Sequence, residues 1–191
     1  MTRDATLSQA LLPNQTLLTK LGLVLAGSFL VALGAQAEVP MFPVPMTLQT
    51  LAISVVGLTF GARLAGLTLL AYLAEGAMGL PVYSGGGAGV AHLVGPTGGY
   101  LFGFVAMAWM TGWLAEHGFG RGFIRMSLAA LIPSMLLFVP GVAWLWYITP
   151  LDLNGAIAAG ATPFLVGGLV KSVVAAMVAA GGWEALVRRR S

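Results

Sequence analysis

The sequence has no cysteine and very little charge: nine of its 191 residues are Lys or Arg, six are Asp or Glu and two are His. Without cysteine there are no disulfides, thiol nucleophiles or thiolate metal ligands. His92 and His117 stand far apart with no carboxylate cluster beside either, so no metal site is expected. No Ser-His-Asp set, no pair of acids on one helix face and no HExxH occurs, so binding is better supported than reaction and an intramembrane enzyme is the least supported reading. No Walker motif occurs either, so the chain has no ATP site of its own. The net charge of +3 rests on basic residues too few and too dispersed to follow a phosphate backbone, which excludes nucleic acid as a partner.

What is present is apolar. Hydrophobic residues make up 58% of the chain and charged residues 8%, where soluble domains carry about 25% charge. The composition is that of an all-α integral membrane protein in contact with lipid. No polar segment is long enough for a separate soluble unit, so residues 1–191 are expected to form a single membrane domain. The first apolar segment lacks a well-placed small-residue cleavage site and reads as a retained helix, not a signal peptide.

Apolar segments at 17–37, 47–60, 64–78, 100–113, 126–148 and 163–187 predict a six-helix transmembrane bundle with structured external loops. Pro133 and Pro140 are expected to kink the fifth span. Three loops separate the spans on one side. Residues 38–46 hold Pro40, Pro43 and Pro45, which no regular helix can contain. Residues 80–95 are rich in glycine without any charge, and 149–162 form a partly polar connector. Polar turns at 61–63 and 116–125 fall on the opposite side. With an internal N-terminus, Arg3, Lys20, Arg63, Arg121, Arg125 and Arg188 to Arg190 all lie on the cytoplasmic side, and no basic residue lies in an outer loop. Both termini are then cytoplasmic, and the three structured loops share the external face. On the first span Gly22, Ala26 and Gly27 make a smooth face for a neighbouring helix, either within the bundle or on a partner membrane subunit.

Lys171 is the ninth basic residue and the most informative. It lies about 12 Å along the last span, where an ammonium is costly unless a carboxylate, carbonyls or water receive it. It reads as a ligand contact, with a structural pair to Glu75 or snorkelling to the surface as the alternatives. Gln49, Tyr83, Ser84, Thr97, Tyr100 and Asn154 supply further donors and acceptors toward the same face. Gly85 and Gly86 allow the 80–95 loop to fold closely over a solute.

The segments PVPMTLQTL (43–51), YLAEGAMGLPVYSGG (72–86), GPTGGYLFGF (95–104) and PFLVGGLVK (163–171) resemble, in order and spacing, the BioY family of biotin-capturing substrate (S) subunits of energy-coupling factor (ECF) transporters. The resemblance implies a six-helix bundle in a bacterial cytoplasmic membrane that takes biotin from outside. It implies a transmembrane coupling subunit and two ATP-binding-cassette ATPases as partners, with ATP hydrolysed by those partners, biotin as cargo and no cofactor. It implies that Gly22 and Ala26 dock the coupling subunit, and that biotin meets Lys171, Gln49, Glu75, Tyr83, Ser84, Gly85, Gly86, Thr97, Tyr100 and Asn154. The family's last helix usually reads PFxxGDxxK, and this chain departs from it with Gly168 at the acidic position. A capture subunit for another vitamin and a self-sufficient permease are the alternatives. Biotin also suits the inventory chemically: fused rings and an alkyl tail for apolar walls, a ureido group for donors and acceptors, and a carboxylate for a cation.

Overall fold

A computed structural model describes residues 6–12 and 14–188. Of the basic residues assigned to the cytoplasmic side, Arg3, Arg189 and Arg190 lie outside the described residues.

The chain opens with a short helix, α1 (Leu7–Leu11), capped reciprocally by Thr6 and Gln9. Helix α2 (Leu17–Gln36) follows, with Thr16 Oγ1 accepting from the Thr19 amide at its start. It is apolar on every face and free of proline until Pro40, so it runs for twenty residues. The proline-rich loop after it is more ordered than the sequence predicts: Glu38–Val39 (β1) and Met46–Thr47 (β2) pair antiparallel, Glu38 opposite Thr47 and Val39 opposite Met46. The three prolines lie between or beside these residues, where they remove no ladder donor.

Helices α3 (Gln49–Phe60) and α4 (Ala62–Ala77) are joined by one residue, Gly61, at φ 84°. Only glycine takes that conformation without strain, which is why the expected three-residue turn shrinks to one. A short helix, α5 (Val90–Leu93), sits inside the glycine-rich loop, and α6 (Gly98–Leu114) starts two residues after Pro96. The expected fifth span is one stretch, 123–148, divided at Leu137 into α7 (Phe123–Leu136) and α8 (Phe138–Ile148). Pro133 and Pro140 each withhold an amide from the helical ladder, and Leu137 lies between them.

The expected connector at 149–162 is largely helical. Asp152 Oδ1 accepts from the Gly155 amide at 2.9 Å and caps α9 (Leu153–Gly160). The chain ends in α10 (Leu165–Arg188). Among the described residues three stretches are long and apolar enough to cross a membrane, 17–36, 123–148 and 153–188. Helix α3 is as apolar but only 12 residues long.

Besides a small cluster of Leu7, Ala10 and Leu186, the described residues have two larger interior centres. One gathers Ile53, Leu69, Tyr72, Tyr83, Tyr100 and Phe104 between α2, α3, α4 and α6. The other lies between α7 and α10, where Ala129, Ala130, Ala175, Ala176 and Ala179 let the two helices approach closely. Outward faces are apolar too: Leu17, Leu18, Leu25 and Phe29 on α2 and Val166, Val170 and Met177 on α10 are exposed. A surface of that kind is stable against lipid, not against water. The smooth face on α2 is divided. Gly27 is buried against Thr68 and Phe60, while Gly22 and Ala26 face outward, with nothing within 4 Å of the position a Cβ on Gly22 would take.

Candidate functional site

The hairpin, the 80–97 segment and the 149–164 segment gather at one end of the bundle. Long-range hydrogen bonds tie them to the helices. Gln36 Nε2 donates to the Tyr83 carbonyl at 3.0 Å and Trp144 Nε1 to the Gly95 carbonyl at 2.9 Å. Tyr100 Oη donates to the Gly160 carbonyl at 2.6 Å. Beneath them lies a partly open cavity of about 70 Å³.

Its walls come from six parts of the chain. The hairpin gives Val44, Pro45 and Thr47, and the start of α3 gives Gln49 and Thr50. Ser84 and Thr97 come from the glycine-rich segment, and Tyr100, Leu101 and Phe104 from α6. Ser134, Leu137 and Phe138 come from the α7–α8 junction, and Phe164, Gly168 and Lys171 from the start of α10. Five residues singled out in the sequence therefore meet here: Gln49, Ser84, Thr97, Tyr100 and Lys171.

Lys171 is half-buried, and its Nζ donates to the Thr47 carbonyl at 2.6 Å, bringing α10 against β2. That disposes of the alternative pair with Glu75, whose Oε1 accepts from Ser28 Oγ at 2.9 Å on the α2–α4 seam. Gln49 is buried between Thr47 and Tyr72. Its Oε1 accepts from Thr47 Oγ1 at 2.9 Å, and its Nε2 donates to Tyr72 Oη at 2.7 Å. Tyr72 Oη donates on to the Val82 carbonyl at 3.0 Å. This chain fixes the amide and links α3 through α4 to the glycine-rich segment.

The remaining sequence candidates lie elsewhere. Tyr83 is fully buried behind the wall, its Oη donating to the Leu73 carbonyl at 2.8 Å and its ring packed on Gly76. It supports the loop without lining the cavity. Gly85 and Gly86 are exposed, at φ 63° and 71°, and form the bend that lets Ser84 turn inward. Glu75 faces α2, and Asn154 is exposed in the first turn of α9. The residues the sequence reading missed are Thr50, Ser134, Phe138 and Phe164. Ser134 carried a usable signal, a hydroxyl next to Pro133 within an apolar run; the phenylalanines carried none.

A second, more open chamber shares Pro45, Ser84 and Thr97 with the cavity and extends past Glu38, Met41 and His92. Pro45, Ser84 and Thr97 thus stand between the two spaces. His92 stacks on Tyr83 at 5.0 Å, and its Nε2 is buried with no hydrogen-bond partner among the described residues. Burial holds the imidazole below its ordinary pKa, with Glu38 pulling weakly the other way. A base whose folded pKa is depressed stabilises the fold fully above its unfolded pKa and loses that contribution as pH falls through the folded value. Acidification from about pH 7.5 to about pH 5.5 is therefore expected to loosen this segment. Hydrogen exchange, corrected for intrinsic rates, measures the effect. Protection of residues 83–94 should drop in the native protein and hold steady in His92→Phe, and an equal drop in both would refute the assignment.

Fold and site together define a helical membrane protein with a partly open cavity beneath ordered loops. The chain belongs to the BioY family, whose model matches residues 5–188. It is 38% identical over 160 residues to the biotin transporter BioY of Thermotoga maritima, covering 82% of this chain and 92% of that one. It is 34% identical over 161 residues to the biotin transporter BioY2 of Lactococcus lactis subsp. cremoris, covering 84% and 88%. Its fold is similar to the crystal structure of the S-component for biotin from an ECF-type ABC transporter. The TM-score is 0.74 at 22% identity, over 93% of this chain and 96% of that one.

Proposed function

We propose that this chain captures biotin as the substrate subunit of an ECF-type uptake transporter. The observation that carries the reading is the cavity itself, in which one ammonium, Lys171, shares an otherwise largely apolar enclosure with several hydroxyls. Phe104, Leu137, Phe138 and Phe164 suit the fused rings and alkyl tail, while the hydroxyls and Lys171 suit the ureido and carboxylate oxygens. The names of the BioY relatives support the same ligand.

In this reading residues 1–191 form one membrane domain that crosses a bacterial inner membrane six times, α7 and α8 acting as one broken crossing. Both termini are cytoplasmic and the cavity opens outside, an orientation supported by the distribution of Lys and Arg. Partners are a transmembrane coupling subunit, met through the outward Gly22 and Ala26, and two ATPases that hydrolyse ATP. Biotin is cargo, and the proposal includes no cofactor.

Equilibrium binding of labelled biotin to the purified chain in detergent tests the proposal. Saturable binding, displaced by unlabelled biotin and not by other vitamins, is expected; absence of saturable binding refutes it. Uptake into vesicles with and without the coupling subunit and ATPases separates a capture subunit from a self-sufficient permease.

A further inference from the structure

The polar side chains around the cavity fall into two sets. Thr47, Gln49, Tyr100 and Lys171 already hold partners within the protein. The hydroxyls of Thr50, Ser84, Thr97 and Ser134 have none among the described residues. Three of these four are half-buried at the loop end, where water can serve them. Ser134 differs, being only 3% exposed.

A serine within a helix ordinarily donates to the carbonyl one turn back. Ser127 does so to Phe123 at 2.9 Å and Ser172 to Gly168 at 2.8 Å. Ser134 makes no such bond, so its hydroxyl on the cavity wall is left to a ligand or water. The hydroxyl faces Gly168. A Cβ on Gly168 would stand at ordinary contact distance, 3.5 Å, from Ser134 Oγ and 2.9 Å from the flexible end of Met135, so residue 168 is the immediate neighbour of the hydroxyl. With glycine at 168, the Ser134 hydroxyl looks into the cavity from a flank walled by Leu137, Phe138 and Phe164.

We infer that Ser134 is a ligand contact that selects the ureido end of biotin, its hydroxyl donating to the ureido carbonyl oxygen. The inference rests on the biotin reading. One neutral hydroxyl among apolar side chains cannot repay the desolvation of a carboxylate, but it matches the single strong acceptor of a neutral cyclic urea.

The test measures affinities of the full chain in detergent for biotin, biotinamide and 2-thiobiotin, in which a poor sulfur acceptor replaces the ureido oxygen. Ser134→Ala is expected to weaken biotin and biotinamide alike by about five- to tenfold, with less than about a twofold loss for 2-thiobiotin. Ser134→Cys, close in volume and a weak donor, should fall between wild type and Ser134→Ala. If Ser134→Ala fails to fold, the folded Cys variant carries the test through the same three ligands. Wild-type affinity for biotin in the variants overturns the inference, and so does an equal loss for biotin and 2-thiobiotin. Neither result touches the biotin reading, which fails only if the wild-type chain does not bind biotin.

Discussion

Lys171→Ala is expected to lower biotin affinity by about 30- to 700-fold, the equivalent of about 2–4 kcal/mol for removing one partner of a desolvated charge-assisted contact. Lys171 is the one cation lining the cavity among the described residues. It donates to the Thr47 carbonyl, which leaves two of its three N–H groups for a ligand. Lys171→Met is the companion variant, because it keeps most of the stem and removes the charge. Its unfolding midpoint should match or exceed that of wild type, since no ammonium then has to be held away from water. A loss of affinity at undiminished stability locates the effect in binding. Biotinamide identifies the oxygen the ammonium meets: a loss equal to that for biotin assigns the ureido oxygen, and a smaller loss assigns the carboxylate. Unchanged biotin affinity in both variants would refute a ligand role for Lys171.

The second large effect is expected at the opposite end of the bundle. Gly112 on α6 lies so close to the α3–α4 link that a Cβ would run into the backbone of Gly61 and Ala62. Backbone cannot rotate aside as a side chain can, so Gly112→Ala must push two helices apart or distort the link. Overpacking of this kind costs about 1–3 kcal/mol, read as a lower unfolding midpoint in detergent. Gly22→Ala is the control, since open space surrounds that position, and it should stay within about 0.5 kcal/mol of wild type. Equal destabilisation by both substitutions would mean that close approach is not what Gly112 provides.

Much of this arrangement was legible in the sequence because membrane folding leaves blunt signals. The run at 17–37 read as a long helix, and the glycine-rich tract without charge read as a structured loop. Lys171 stood out by its depth in an apolar segment. The misreadings have equally physical origins. The polar residues at 152–155 suggested a connector, although Asp152 is a capping residue and α9 begins directly after it. Tyr83 looked like a ligand contact because its hydroxyl can donate, yet that hydroxyl is consumed by the Leu73 carbonyl. Glu75 looked like a counter-ion because it is a rare acid, yet its partner is Ser28. Which donors are consumed and which stay open depends on contacts between distant segments, and that information has no local pattern.

The link at Gly61 has a practical consequence for anyone labelling or cutting the chain. A single residue joins α3 to α4. The Glu116 carboxylate accepts from the Ala62 amide at 3.1 Å, and a Cβ on Gly61 would strike both Glu116 and Thr6. No slack exists there for an epitope tag, a reporter fusion or a protease recognition sequence. Topology mapping should place its insertions in the exposed bend at Gly85 and Gly86 or near Arg121, and an insertion at position 61 would report on a disrupted bundle.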